Sequence, residues 1–222
     1  MEFRREWKHE ISPGDLPGLR ARLRAAARPD AHGENGIYRI RSLYFETPGD
    51  RALREKLDGV NRREKFRLRY YDSDLSLIHL EKKSKINGLC RKESAAVTEA
   101  EVRSLLGGDT GWMAESGRAL VWELRQKTAS ELLRPRVIVD YTREAYVFGP
   151  GNVRVTLDYN IRTGLNNLDF LHPASLTIPA GAPIILEVKW DEYLPDSIRC
   201  AVQLEGRRSA AFSKYAVCRR YG

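Results

Sequence analysis

Apolar and charged residues alternate one for one along many short stretches of this chain. Over residues 3–11, Arg4, Glu6, Lys8 and Glu10 fall on one side and Phe3, Trp7 and Ile11 on the other. A period of two is the signature of a β-strand. Similar patterns predict strands at 37–46, 63–71, 77–85, 89–96, 136–142, 145–148, 152–160 and 183–191. Pro13-Gly14 ends the first strand, and Asn87-Gly88 forms a two-residue hairpin turn. Helical spacing appears between them. Leu19 and Leu23 lie one turn apart in a helix over 16–27 with Asp15 as its cap, and Thr47-Pro48 opens a short helix through Leu57. Thr98 and Glu101 have the spacing of a capping box for a helix ending at Leu106. Further helices are expected over 115–133 and 207–220, and residues 163–182 read as loop. No linker, repeat or low-complexity stretch interrupts this order, so residues 1–222 are expected to form a single domain.

The strands share a division of labour. Phe66, Leu68 and Tyr70 oppose Lys65, Arg67 and Arg69; Val153, Val155 and Leu157 oppose Arg154, Thr156 and Asp158; Ile184, Leu186, Val188 and Trp190 oppose Glu187, Lys189 and Asp191. The apolar sides supply a surface for the helices. The charged sides either meet solvent on a flat sheet or line the bore of a closed barrel, and a wide barrel can enclose a ligand. Three copies of Glu-x-Lys stand out on these sides: Glu6-Trp7-Lys8, Glu81-Lys82-Lys83 and Glu187-Val188-Lys189. Such pairs can be cross-strand ion pairs on a solvated face. Interleaved with further cations, they also suit a polyanion bound with a metal.

Composition sharpens this picture. Lys plus Arg number 38 against 30 Asp plus Glu, a net charge of +8 that points to an anionic partner. Carboxylates within the basic strands would weaken attraction to a nucleic acid, so no specific nucleic-acid partner is expected. The cysteines, Cys90, Cys200 and Cys218, are odd in number and widely spaced, and the four histidines show no ligand spacing; neither a disulfide framework nor a zinc site is expected. The four tryptophans, Trp7, Trp112, Trp122 and Trp190, read as core. The N-terminus lacks an apolar leader and no apolar run nears the roughly 20 residues of a membrane span, so a cytoplasmic protein without a transmembrane segment is expected.

Several pieces, in order, resemble the catalytic domain of the VTC family of polyphosphate polymerases, within the wider triphosphate tunnel (CYTH-like) metalloenzymes. They are Arg4-Arg5-Glu6-Trp7-Lys8, Ser42-Leu43-Tyr44-Phe45, Lys65-Phe66-Arg67-Leu68-Arg69, Leu80-Glu81-Lys82-Lys83, Val139-Asp140-Tyr141-Thr142-Arg143, Val153-Arg154-Val155-Thr156-Leu157-Asp158, Leu186-Glu187-Val188-Lys189 and Ser213-Lys214-Tyr215. The resemblance runs from Arg4 to about Arg219. It implies an α+β fold: an antiparallel β-barrel, the triphosphate tunnel, with a charged interior and helices packed outside. It also implies Mn²⁺ or Mg²⁺, with ATP and inorganic polyphosphate or triphosphate as ligands. By match to the motifs, Lys8, Arg67, Arg69, Lys83, Arg143, Arg154 and Lys214 carry phosphates through the reaction, and Tyr141, Ser213, Lys65 and Lys189 bind substrate. Glu187 is the leading metal ligand, with Glu6, Glu81 and Asp158 behind it. The membrane helices and phosphate-sensing domain of the fungal members are not in this sequence, which leaves a membrane-protein partner open.

The residue types suit phosphoryl transfer, which asks the protein for in-line positioning and charge neutralisation. Arg offers a planar fork for phosphate oxygens, and hard divalent ions take oxygen ligands such as Glu. Chain extension needs no strong base, because the attacking phosphate oxygen is already ionised. Arg4 stands where the wider superfamily carries its first Glu, which favours synthesis over hydrolysis. The expected activity is thus a metal-dependent polyphosphate polymerase using the ATP γ-phosphate. The alternatives are a triphosphatase of the same fold and a non-enzymatic polyphosphate or RNA binder.

Overall fold

The computed structural model describes residues 4–87, 89–206, 209 and 211–220. Phe3 of the first strand, Gly88 of the hairpin turn, and Arg207, Arg208 and Ala210 of the closing segment lie outside the described residues. In chain order the elements are β1 (Arg5–Ile11), α1 (Leu16–Ala26), β2 (Arg28–Pro29), β3 (Ile37–Glu46), α2 (Arg51–Leu57), β4 (Arg62–Tyr71), β5 (Asp74–Ile86), β6 (Leu89–Val97), α3 (Glu99–Leu106), α4 (Ala119–Glu131), β7 (Arg134–Phe148), β8 (Val153–Thr163), β9 (Ile178–Pro179), β10 (Ile184–Trp190), α5 (Asp196–Val202) and α6 (Lys214–Cys218). The helix-and-antiparallel-strand composition is α+β.

The chain divides into two compact units. The first holds Met1–Arg39, Tyr141–Ile161 and Gly181–Ser213. Its strands pair in the order β1-β10-β8-β7, with β2 on Tyr146 and Val147 of β7. The apolar alternation of β8 and β10 forms its core: Val153, Val155, Leu157, Leu186, Val188 and Trp190 cluster with Leu19 and Leu23 of α1 and Ile198, Ala201 and Val202 of α5. The second holds Ile40–Asp140, Arg162–Ala180 and Lys214–Gly222. Its strands pair as β7-β3-β4-β5-β6, with β9 on the end of β8. Phe66, Leu68, Tyr70, Ile78 and Leu80 cluster with Val102 and Leu105 of α3 and Leu120, Val121 and Leu124 of α4. In each unit, therefore, one sheet face is spent on helices and the charged face is left for other work.

Several expectations shift. The strands expected at 136–142 and 145–148 are one strand, because Arg143 and Glu144, which read as a break, find ionic partners in Asp158 and Arg20. The helix expected from 115 starts at Ala119: Gly117 takes φ +66° and Arg118 is extended, so neither can lie within a helix. Asp15 makes no cap hydrogen bond to α1; its carboxylate accepts from the backbone N–H of Ser12 at 2.7 Å and its hydroxyl at 2.8 Å. The Thr98–Glu101 capping box is formed. The closing helix is only Lys214–Cys218, and α5 carries no signal that distinguishes its seven residues from loop. Trp190 is buried, whereas Trp122 is 52% exposed and Trp7 36% exposed, so these two are not core. No helix among the described residues is long and apolar enough to cross a membrane.

Candidate functional site

In the first unit, strand register arranges charge in rows. Lys8 lies opposite Glu187, which lies opposite Thr156; Glu6 lies opposite Lys189, which lies opposite Arg154. The Glu-x-Lys copies of β1 and β10 thus meet acid against base, the favourable cross-strand arrangement. Lys8 Nζ sits 2.9 Å from Glu6 and 3.2 Å from Glu187, and Lys189 sits 3.2 Å from Glu187. Arg143 grips Asp158 with two hydrogen bonds, 2.7 and 2.8 Å, and reaches to 3.9 Å from Glu187. The Tyr141 ring lies 5.5 Å from the same guanidinium. Burial by itself would lower the Lys8 pKa, but the carboxylates of Glu187 and Glu6 outweigh it and hold the ammonium charged well beyond neutral pH. Asp158 does the same for buried Arg143.

Arg154 has its own cradle. Its Nη1 lies 2.6 Å from Asp30 and its Nη2 donates to the Tyr38 hydroxyl at 2.7 Å. Asp30 arrives on a loop whose N–H donates to the Ala145 carbonyl at 2.9 Å. Gly36 takes φ +77° beside it, where an added Cβ would stand 2.6 Å from that carbonyl, so glycine is required there. Burial would raise the Asp30 pKa; hydrogen bonds from His32 and the charge of Arg154 outweigh that and keep it ionised.

In the second unit one row is of a single sign. Lys65 lies opposite Lys83, and Lys83 opposite Lys92, so three lysines line up across β4, β5 and β6. The next row is Arg67, Glu81 and Ser94. Glu81, 2% exposed, is a hub: Arg67 lies 2.6 Å away, Arg69 3.6 Å, and Lys92 pairs with its other oxygen. Burial would raise its pKa, yet Arg67, Arg69 and Lys92 hold it far below the usual carboxylate range. Arg67 donates to the Tyr44 hydroxyl at 2.7 Å, and Arg69 to Ser42 at 3.1 Å. Burial would raise the Tyr44 phenol as well; Arg67, Lys65 and Arg69 together bring it down to about 7.

Tyr44 stacks at 5.0 Å on Tyr215 of α6, and Lys65 lies 5.8 Å from the Tyr215 ring. Buried Glu46 accepts the Tyr215 hydroxyl and the N–H groups of Thr47, Ala52 and Leu53, which anchors α6 and its first residue, Lys214. Ser213 and Lys214 are both half-buried.

The structure thus brings Glu6, Lys8, Arg143, Asp158, Glu187 and Lys189 together, with Arg154 in the adjoining row and Tyr141 on Arg143. It brings Lys65, Arg67, Arg69, Glu81 and Lys83 together in the other unit, with Lys214 on the neighbouring helix. Among the described residues no group of three His, Cys, Asp or Glu side chains could hold a metal ion. Pairs of carboxylates on one cation, such as Glu6 and Glu187 on Lys8, fit a divalent ion that arrives on phosphate oxygens, since Mg²⁺ is commonly bound by one or two carboxylates plus substrate phosphates. Glu81, surrounded by three cations, is placed as a charge balancer.

These charged sheet faces, each backed by a helix-covered core, define a protein of the triphosphate tunnel fold. The solved structure of the Hippeastrum protein HpAC1, assigned as an adenylyl cyclase with a dominant triphosphatase activity, matches with a TM-score of 0.55 at 15% identity over 99% of this chain and 95% of its own. An assigned adenylate cyclase from Bacillus halodurans matches with a TM-score of 0.50 at 15% identity, over 85% and 80%. No curated protein matches the sequence. The model of the VTC domain matches residues 3–221, and the chain belongs to that family.

Lys92, Tyr44, Asp30 and Tyr38 are not among the candidate site residues read from the sequence. Lys92 was within reach: the hairpin turn expected at Asn87-Gly88 implies the register in which Ile86 lies opposite Leu89 and Lys83 opposite Lys92. Tyr44 stands in the Ser42-Leu43-Tyr44-Phe45 piece of the resemblance, which by itself assigns it no role. Asp30 reaches Arg154 across 124 residues of sequence, and no local pattern signals that.

Proposed function

We propose that this chain is a metal-dependent phosphotransferase that moves the terminal phosphoryl group of ATP onto inorganic polyphosphate. The row Lys65–Lys83–Lys92 carries the reading. Like charges directly opposite one another across strands are destabilising. A polyanion laid along them turns that repulsion into attraction. In the second unit, Lys65, Arg67, Arg69, Lys83 and Lys92 share one side of β4, β5 and β6 with Glu81, a set of cations suited to phosphate oxygens. In the first, Lys8, Arg143, Arg154 and Lys189 are balanced by Glu6, Asp30, Asp158 and Glu187. A balanced face holds a polyphosphate more tightly when a cation accompanies it.

Glu187 and Glu6 would hold that divalent ion together with substrate phosphate oxygens, and the ion would neutralise those oxygens and polarise the transferring group. Lys8 and Arg143 exchange their carboxylate partners for phosphate oxygens as the anion enters. Asp30 and Tyr38 keep the Arg154 fork aimed, so its orientation is set before substrate arrives. Arg67 and Arg69, fixed by Glu81, Tyr44 and Ser42, hold phosphate without further side-chain ordering. No side chain need remove a proton, because the attacking group is an ionised terminal phosphate.

The test is to incubate the pure protein with ATP and Mn²⁺ and to resolve products on a urea gel beside a free-phosphate assay. A ladder of polyphosphate with ADP is expected. Free phosphate stoichiometric with ADP and no ladder would establish instead a triphosphatase, the reading favoured by the activity of HpAC1. Glu187→Ala should remove the divalent-ion dependence and the activity without loss of fold.

A further inference from the structure

We infer that the Thr156 hydroxyl is a phosphate-binding group that donates to a non-bridging oxygen of the anion taken up by the first unit; the inference rests on the proposed polyphosphate-type substrate. Thr156 is 3% exposed, and its Oγ1 is buried without a hydrogen-bond partner. A buried hydroxyl in that state destabilises the fold, because it has lost water and gained nothing. Valine would match its shape and its β-branched preference for a strand, and would remove that cost. The hydroxyl stands on the charged side of β8, not the side of Val153, Val155 and Leu157 that forms the core. Its cross-strand neighbour is Glu187, and Arg154 and Asp158 flank it at the strand period. The Glu187 carboxylate already receives Lys8 and Lys189, and Asp158 receives Arg143, so the nearby acceptors are taken by cations.

Those same cations are the groups that turn toward an incoming anion. When they do, the hydroxyl gains an acceptor. A neutral donor placed among four cations also adds direction, which charge alone does not supply. Thr156 therefore sets the position of a phosphate that Lys8, Arg143, Arg154 and Lys189 attract.

The experiment uses the whole chain as wild type, Thr156→Val and Thr156→Ser. Tripolyphosphate binding is measured by calorimetry in chelator and again with Mn²⁺, and unliganded melting is followed separately. The valine variant should melt at the wild-type temperature or higher, yet bind tripolyphosphate about tenfold more weakly in both conditions, the cost of one hydrogen bond to a charged group. The serine variant should bind within about twofold of wild type. Unchanged binding by the valine variant overturns the inference. So does weakening seen only with Mn²⁺, which would give the hydroxyl to a metal-bound water, or a fall in unliganded melting that accounts for the affinity loss. Wild-type protein that binds no tripolyphosphate in either condition removes the underlying functional reading and this inference with it.

Discussion

Glu81→Gln separates charge balance from metal binding in the second unit. The substitution keeps shape and one hydrogen-bonding oxygen but removes the charge that Arg67, Arg69 and Lys92 surround. Removing one partner of a buried ion pair costs about 3–5 kcal/mol; the lower end applies, since Arg67 and Lys92 retain contact with water. For a chain of 222 residues, about 3 kcal/mol lowers the melting temperature by roughly 6–12 °C. Tripolyphosphate should then stabilise the variant more than the wild type, because the anion supplies the missing negative charge. At a hundredfold excess over Kd the wild type gains about 2.7 kcal/mol, and the gap between the two proteins should shrink by half or more. The pH dependence carries a sign as well. The folded Glu81 pKa is depressed, so its stabilisation is complete above the unfolded value of about 4.3 and is lost as pH falls through the folded one. The wild type should therefore lose stability on acidification faster than Glu81→Gln. Scanning calorimetry with and without tripolyphosphate measures all three effects. A gap that tripolyphosphate leaves unchanged, or that closes only with Mn²⁺, would refute the charge-balancing role.

Tyr44 should ionise near pH 7, against about 10 for an ordinary tyrosine. Its absorbance change at 295 nm should vanish in Tyr44→Phe. Because the folded value is the lower one, the wild type should gain stability over the phenylalanine variant between about pH 7 and 10; a wild-type titration with no step below pH 9 would contradict the cation cluster drawn around this phenol. Asp30→Asn should free the Arg154 fork and lower turnover on the order of 10²-fold while leaving the melting temperature within a few degrees. Turnover equal to wild type would show that Arg154 needs no cradle.

The alternation of apolar and charged residues was enough to place most strands and to say which side of each meets helices. That inference is local: side chains two apart on a strand must share a face. It held for Val153, Val155 and Leu157 and for Phe66, Leu68 and Tyr70, which lie in the two cores. It failed at Arg143 and Glu144, whose ionic partners lie 15 and 124 positions away and carry the strand through a polar pair. It missed α5, which is too short for its apolar period to stand out and is held by packing on the first core.

The motifs likewise pointed to the VTC family, to which the chain belongs, and to the residue types suited to phosphate. Which charge meets which is a matter of register, and register is set between strands. Only the tertiary structure places Glu187 against Lys8, with an unsatisfied Thr156 on its other side, and sets three lysines opposite one another on β4, β5 and β6. One Glu-x-Lys copy is charge-neutral in its setting and another is a carboxylate among cations, although the three read alike along the chain. The physical reason is that a residue's charge is written in the sequence, but the potential it feels is the sum over neighbours that folding brings from distant segments.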